Sequence, residues 1–164
     1  MTTVRTAGWP NGARFAFTIL DDTDDATVAN VKPVYDLLHD LGMRTTKTVW
    51  PLACQDESIY FAAETLEDEA YLAFVRELVE RGFEIASHGA TMESSERRRT
   101  LDGLAALIGR LGVAPTLHCN HGQNRENLYW GAERYRSVLL RALLKMAERL
   151  RRAPRFEGHV PGSR

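Results

Sequence analysis

Four aspartates follow directly on a short apolar run near the start of the chain. Asp21, Asp22, Asp24 and Asp25 come within five positions, immediately after residues 15–20. An apolar run of this length is typical of a buried strand in a parallel sheet. The acids are therefore predicted to lie at the carboxyl end of that strand, where open α/β folds and barrels place their functional sites.

Asp21 and Asp22 are adjacent, so in a continuing strand their side chains point to opposite sides. One of them can then hold a metal ion while the other faces a substrate. Capping of the next helix is the alternative, because Asp favours N-caps and first turns. Four like charges exceed what a cap needs, and they favour a bound cation.

Histidines follow two later apolar segments. His88 comes directly after residues 83–87, and His118 and His121 come after residues 113–117. Since parallel strands end at one edge of a sheet, these rings are predicted to converge with the aspartates. Carboxylates and imidazoles together suit a divalent cation such as zinc, with an open position for water. His118 and His121 are three positions apart and point opposite ways in an extended segment, so we expect His121 to reach the metal, with His118 as the alternative.

The elements that must position these groups alternate along the chain. Hydrophobic patterning predicts strands at 15–20, 43–50, 83–87 and 113–117, helices at 27–41, 68–81, 93–111 and 128–152, and a further strand at 156–160. This order indicates an α/β domain with a parallel sheet of alternating β/α units and right-handed crossovers. Four or five strands form an open sheet or a partial barrel, since a complete eight-stranded barrel typically takes about 250 residues.

Composition restricts the classes of partner. The 164 residues suffice for a single domain, 1–164, with a real core. The formal net charge of −1 implies no general attraction to nucleic acid, and no apolar run reaches the ~18 residues of a membrane span. Two cysteines without a CxxC motif fit a reduced, cytoplasmic setting.

Two segments resemble the first two motifs of the NodB-like polysaccharide deacetylases. They are residues 17–22 (FTILDD) and 84–89 (EIASHG). The resemblance implies a partial or deformed (β/α) barrel and a metal held by one aspartate and two histidines. It implies hydrolysis of an N-acyl group on a carbohydrate, or on another small amide substrate, with Asp21 as the general base and Asp22 and His88 as metal ligands.

The chain departs from the family pattern at the second histidine. That residue lies four positions after the first in the family, where this chain has Met92, and a thioether is a poor ligand for such an ion. The third ligand is therefore sought after the fourth strand. Substrate contacts are expected nearby, near the place of the family's Arg-x-Pro motif and at the end of the second strand. The residues predicted for them are Asn120, Gln123, Arg125 and Trp50.

Two other functions stay open. The first is a catalytically degenerate deacetylase-like domain that binds a sugar or a partner, which Met92 and an early chain end favour; metal content separates it from an enzyme. The second is a haloacid-dehalogenase-like phosphatase, with Asp22 as nucleophile and Asp24 as acid. In that family a Thr follows two positions later, and here it is Ala26. Magnesium-dependent phosphatase activity identifies this second alternative.

We predict self-association, or membership of a longer chain that supplies further strands, because a short parallel sheet leaves an edge. The last predicted helix also carries more apolar residues than one sheet face covers, and such surfaces commonly mark interfaces. They are Leu139, Leu140, Leu143, Leu144, Met146 and Leu150. Light scattering at several concentrations measures homo-oligomer formation. A monomer at high concentration that binds no dye for exposed apolar surface contradicts the expectation.

Overall fold

The computed structural model of the chain describes residues 8–55, 63–122, 124, 126, 127, 132 and 135–151. The elements in chain order are a 3-10 turn (Pro10–Gly12), β1 (Leu20–Asp21), α1 (Val28–Asp40), β2 (Thr46–Val49), α2 (Glu69–Glu80), β3 (Glu84–Ser87), α3 (Arg97–Leu111) and α4 (Val138–Arg151). The predicted α/β class with a parallel sheet is confirmed. None of the helices in the described part combines the length and apolar composition that crossing a membrane requires.

The three strands pair in parallel in the order β1–β2–β3, which is also their order along the chain. A parallel bridge between Ser87 and His118 brings the segment after α3 to the free side of β3. Because right-handed crossovers between strands in sequential order leave their helices on one face, α1 and α2 lie side by side, and α2 also contacts α3.

The core lies between the sheet and these helices. Its aromatic centre is formed by Tyr35 of α1, Phe74 of α2 and Phe83 ahead of β3, and the Tyr35 ring meets each of the other two edge-on at centroid distances of 5.9 and 5.1 Å. Aliphatic side chains from β2, β3 and α3 complete it, among them Val49, Ile85 and Leu107. All four residues of β2 are buried, as expected for the middle strand of a covered sheet.

The start of α1 is fixed by a reciprocal cap. The Thr27 hydroxyl accepts a hydrogen bond from the Asn30 amide, and the Asn30 side chain accepts one from the Thr27 amide. This pair satisfies two amide donors that the first turn leaves free. Gly42 then ends the helix with φ 71°, which glycine adopts readily. The helix therefore begins directly after the aspartate loop, close to the predicted bounds.

The prediction of a buried strand at 15–20 is wrong. Only Leu20–Asp21 is strand, and the side chains of Phe15 and Phe17 are 73% and 71% exposed. The reason is position: β1 is an edge strand, and the described residues place no layer over the segment before it. The predicted strand at 113–117 likewise shrinks to the bridge at His118.

Two predicted helices begin later than expected. α3 starts at Arg97 and not at 93, and α4 starts at Val138; residues 128–131 and the proposed strand at 156–160 lie outside the described residues. Most of the α4 side chains predicted to form an interface are exposed, Leu139 and Leu150 most strongly.

Gly103 lets α3 approach the segment that carries His88. A Cβ at this position would lie 2.8 Å from Ala90 Cβ and 2.9 Å from Ala90 Cα. We therefore predict that Gly103→Ala lowers the free energy of unfolding by about 1–3 kcal/mol through overpacking. Gly109→Ala is the matched control in the same helix, because no atom lies within 4 Å of its added Cβ. It should gain up to about 1 kcal/mol of helix stability, and chemical denaturation measures both; equal effects contradict the packing argument.

Candidate metal centre

The polar segments that follow the strands meet at one edge of the sheet. The aspartate loop follows β1, His88 follows β3, and His121 lies just beyond the bridge at His118. Asp24, His88 and His121 each offer a ligand atom, and these three atoms lie within 4.8 Å of one another. Asp24 Oδ1 is 3.7 Å from His88 Nε2 and 3.4 Å from His121 Nε2. One carboxylate and two imidazoles at this spacing form a group that can hold a metal ion.

Hydrogen bonds fix the orientation of both rings. His88 Nδ1 lies 3.1 Å from the Cys119 carbonyl oxygen, and His121 Nδ1 lies 3.0 Å from Asn124 Oδ1. Each of these oxygens is an acceptor, so each Nδ1 carries a proton and donates it. The Nε2 atoms then face Asp24 and are the available metal ligands. An oxygen acceptor behind each ring is the usual outer support of a metal-binding histidine.

The Trp50 ring packs against the rings of both His88 and His121. Its ring centroid is 5.6 Å from that of His88 and 5.7 Å from that of His121, and it is fully buried. Trp50 was predicted to bind substrate, but in this structure it has no exposed surface with which to do so. Met92, at the place of the family's second histidine, is also buried in the small cluster around Trp50. Trp50 and Met92 thus belong to the buried apolar cluster next to the site.

Asp22, predicted to be a ligand, contacts one of the two rings. Its Oδ1 lies 3.0 Å from His88 Nε2, and its side chain is 63% exposed. Interaction with the His88 ring lowers the pKa of Asp22 to about 2, and partial burial opposes this shift. The residue that faces both rings is Asp24, which the sequence suggested only for the phosphatase alternative.

Asp21 faces the helix layer and not the cavity. Its Oδ2 lies 2.9 Å from Lys47 Nζ and accepts a hydrogen bond of 2.9 Å from the Tyr35 hydroxyl. Lys47 is fully buried on β2; burial lowers the pKa of its ammonium, and the Asp21 carboxylate opposes that shift. Asp21 thus balances a buried cation. This geometry does not fit the general-base role that the family resemblance implies.

A cavity of about 180 Å³ opens beside the histidines. It is lined by His88, Gly89, Thr100, His118, Asn120, His121, Asn124, Glu126 and Asn127. His118 is outside the metal group; its Nδ1 lies 3.2 Å from Ser87 Oγ, and burial lowers the pKa of its ring. Asn120, which was predicted to contact substrate, lines the cavity, while Gln123 and Arg125 lie outside the described residues.

Comparison with protein-family models, with curated proteins and with solved structures finds no match for this chain. The resemblance to the NodB-like deacetylases therefore stays an expectation from the two sequence motifs. The geometry of the described residues carries the functional assignment.

We predict that Lys47→Met lowers the free energy of unfolding by about 1–3 kcal/mol, because the partly exposed Asp21 carboxylate loses a charged hydrogen-bond partner. Lys32→Met is the control: Lys32 pairs with Asp36 and Glu77 at the surface, where ion pairs contribute little, so its loss should change stability far less. Urea denaturation of both variants measures the difference. A Lys47→Met protein as stable as the wild type contradicts a structural role for the pair.

Proposed function

We propose that this protein is a metal-dependent hydrolase that removes an N-acyl group from a carbohydrate. The observation that carries the proposal is the cluster of Asp24, His88 and His121 at the carboxyl edge of a parallel sheet. Asp24, His88 and His121 would hold a divalent cation, which we take to be zinc, and it would supply Lewis-acid chemistry by polarising a carbonyl oxygen and lowering the pKa of a water molecule.

The donor set supports zinc. Two imidazole nitrogens and one carboxylate oxygen are the ligand types that zinc enzymes use, and such a set leaves a coordination position open. The hydrogen bonds from His88 to the Cys119 carbonyl and from His121 to Asn124 hold both rings ready to bind. Because both rings are already oriented, metal binding costs less conformational entropy, which favours affinity.

The lining of the cavity supports a polar substrate rich in hydroxyl groups. Asn120 and Thr100 offer neutral polar groups around the histidines, and amide and hydroxyl groups of this kind exchange hydrogen bonds with a sugar hydroxyl. Neutral polar groups of this kind suit a sugar better than a phosphate ester, which calls for basic side chains. The cavity residues within the described part include no Lys or Arg.

The arrangement of the strands supports the finer fold proposal, a partial NodB-like barrel. Strand order follows chain order, and α1 and α2 share one face of the sheet, as they do in (β/α) barrels. The site also lies at the carboxyl edge, where barrel enzymes place theirs.

A metal titration tests the site. We expect the metal-free protein to bind one equivalent of Zn²⁺, and Asp24→Asn and His121→Ala each to weaken binding by about 10-fold or more, as loss of part of a coordination set does. Asp25→Asn is the matched control, since Asp25 is exposed and its φ of 57° is one that Asn tolerates. Calorimetry measures affinity, and circular dichroism checks the fold of each variant. Equal affinity for the Asp24 and Asp25 variants contradicts the assignment.

An activity assay tests the chemistry. Zinc-loaded protein should release acetate from an N-acetylated oligosaccharide, chelation should abolish the release, and added zinc should restore it. Zinc binding and sugar binding without acetate release indicate the degenerate binding domain. Release of phosphate from a generic ester with Mg²⁺ indicates the phosphatase. Either result overturns the proposed reaction.

A further inference from the structure

The proposed hydrolysis needs a group that takes a proton from water and returns it to the leaving nitrogen. Asp21 is engaged by Lys47 and Tyr35 on the helix side of the sheet. Asp22 lies against His88 Nε2, and Asp24 belongs to the metal group. The aspartate loop therefore leaves the proton-transfer role to a residue elsewhere on the cavity wall.

Glu126 is the carboxylate on that wall. It lines the same cavity as His88 and His121. Its carboxylate interacts with the Ser95 backbone amide, and its Oε1 accepts a hydrogen bond of 3.2 Å from Asn124 Nδ2. Its Oε2 is buried and has no hydrogen bond of its own within the part of the chain that the structure describes. A buried carboxylate oxygen without a donor is costly unless it has a functional partner.

Asn124 links Glu126 to the metal group. Asn124 Oδ1 faces His121 Nδ1, while Asn124 Nδ2 donates to Glu126 Oε1 and to the Glu93 carbonyl oxygen. The ring N–H and the two oxygens fix which way the amide points. One side chain thus holds the His121 ring and the Glu126 carboxylate in a set relation. Such fixed support is what a preorganised catalytic group requires.

We propose that Glu126 is the general base and then the general acid of the hydrolysis, an inference that rests on the proposed function. As the water oxygen bonds to the carbonyl carbon, one water proton passes to Glu126 Oε2. As the carbon–nitrogen bond breaks, Glu126 returns that proton to the nitrogen, so the products are a free amine and a carboxylic acid. Burial also raises the pKa of Glu126, which brings it nearer to the neutral range where such groups work best.

Glu126→Gln tests the proposal with two measurements. Co²⁺ affinity, followed by the cobalt absorption bands, should stay within about 2-fold of the wild type, because the ligands are intact. Acetate release should fall by about 100-fold or more, the usual contribution of a general acid–base group. Glu96→Gln is the charge-matched control, because Glu96 is exposed at the start of α3 and makes no side-chain cap; it should change neither quantity.

Binding of acetohydroxamic acid to the cobalt protein tests Glu126 apart from turnover. A hydroxamic acid gives up a proton when it binds a metal, and a neighbouring base accepts that proton. We expect Glu126→Gln to weaken this binding by about 10-fold, the scale of one hydrogen bond to a charged group. A variant with wild-type hydroxamate affinity overturns the proposal, even where the wild type releases no acetate. Failure of the wild type to bind Co²⁺ overturns the proposed function instead.

Discussion

The buried ammonium of Lys47 is the constraint on which the site depends. A charged group in the middle strand of a covered sheet requires an anion at contact distance, and Asp21 Oδ2 provides it at 2.9 Å. Lys47 Nζ also reaches the Asp22 carbonyl oxygen at 3.5 Å, and the Thr48 hydroxyl donates to the Asp21 carbonyl oxygen. β1 is only two residues long, so these side-chain bonds, more than strand pairing, fix the point where the aspartate loop begins.

The loop is fixed at its far end by other contacts. Thr23 is buried, with its hydroxyl 3.2 Å from the Tyr71 hydroxyl, and its carbonyl oxygen accepts a hydrogen bond from the Ala26 amide. Asp25 takes the left-handed conformation that closes this turn. Asp24 is therefore held between two anchored residues. On the opposite side, the Ser87 amide donates to the Leu117 carbonyl oxygen, and the Cys119 amide donates to the Ser87 carbonyl oxygen. These two backbone hydrogen bonds fix the position of the Cys119 carbonyl oxygen, which orients His88.

Sequence patterns predicted the parts of the fold that local physics determines. α1 and α2 have apolar stripes and residues suited to helix ends, and β2 and β3 are short, largely buried runs. The sequence patterns failed where tertiary context decides. The segment before β1 has the composition of a buried strand, but at the edge of the sheet the described residues leave Phe15 and Phe17 uncovered. Asp24 was missed because the strand was assumed to continue through Asp22, whereas the chain turns at Thr23. A positive φ at Asp25 is the feature that places the turn, and no residue pattern fixed it in advance.

Charge balance explains why this loop and these rings belong together. Asp21 is neutralised by Lys47. Asp22 faces His88, and Asp24 faces both His88 and His121, at ion-pair distances. Each ring already donates its Nδ1 proton to an oxygen, so the Nε2 atoms are the ring atoms that face the carboxylates. A divalent cation satisfies the carboxylates and both Nε2 lone pairs at once. The two ring centroids are 5.2 Å apart and both rings are buried, so one ion bound between them provides a partner for lone pairs that burial removes from bulk water. The geometry therefore favours a cation shared by both rings.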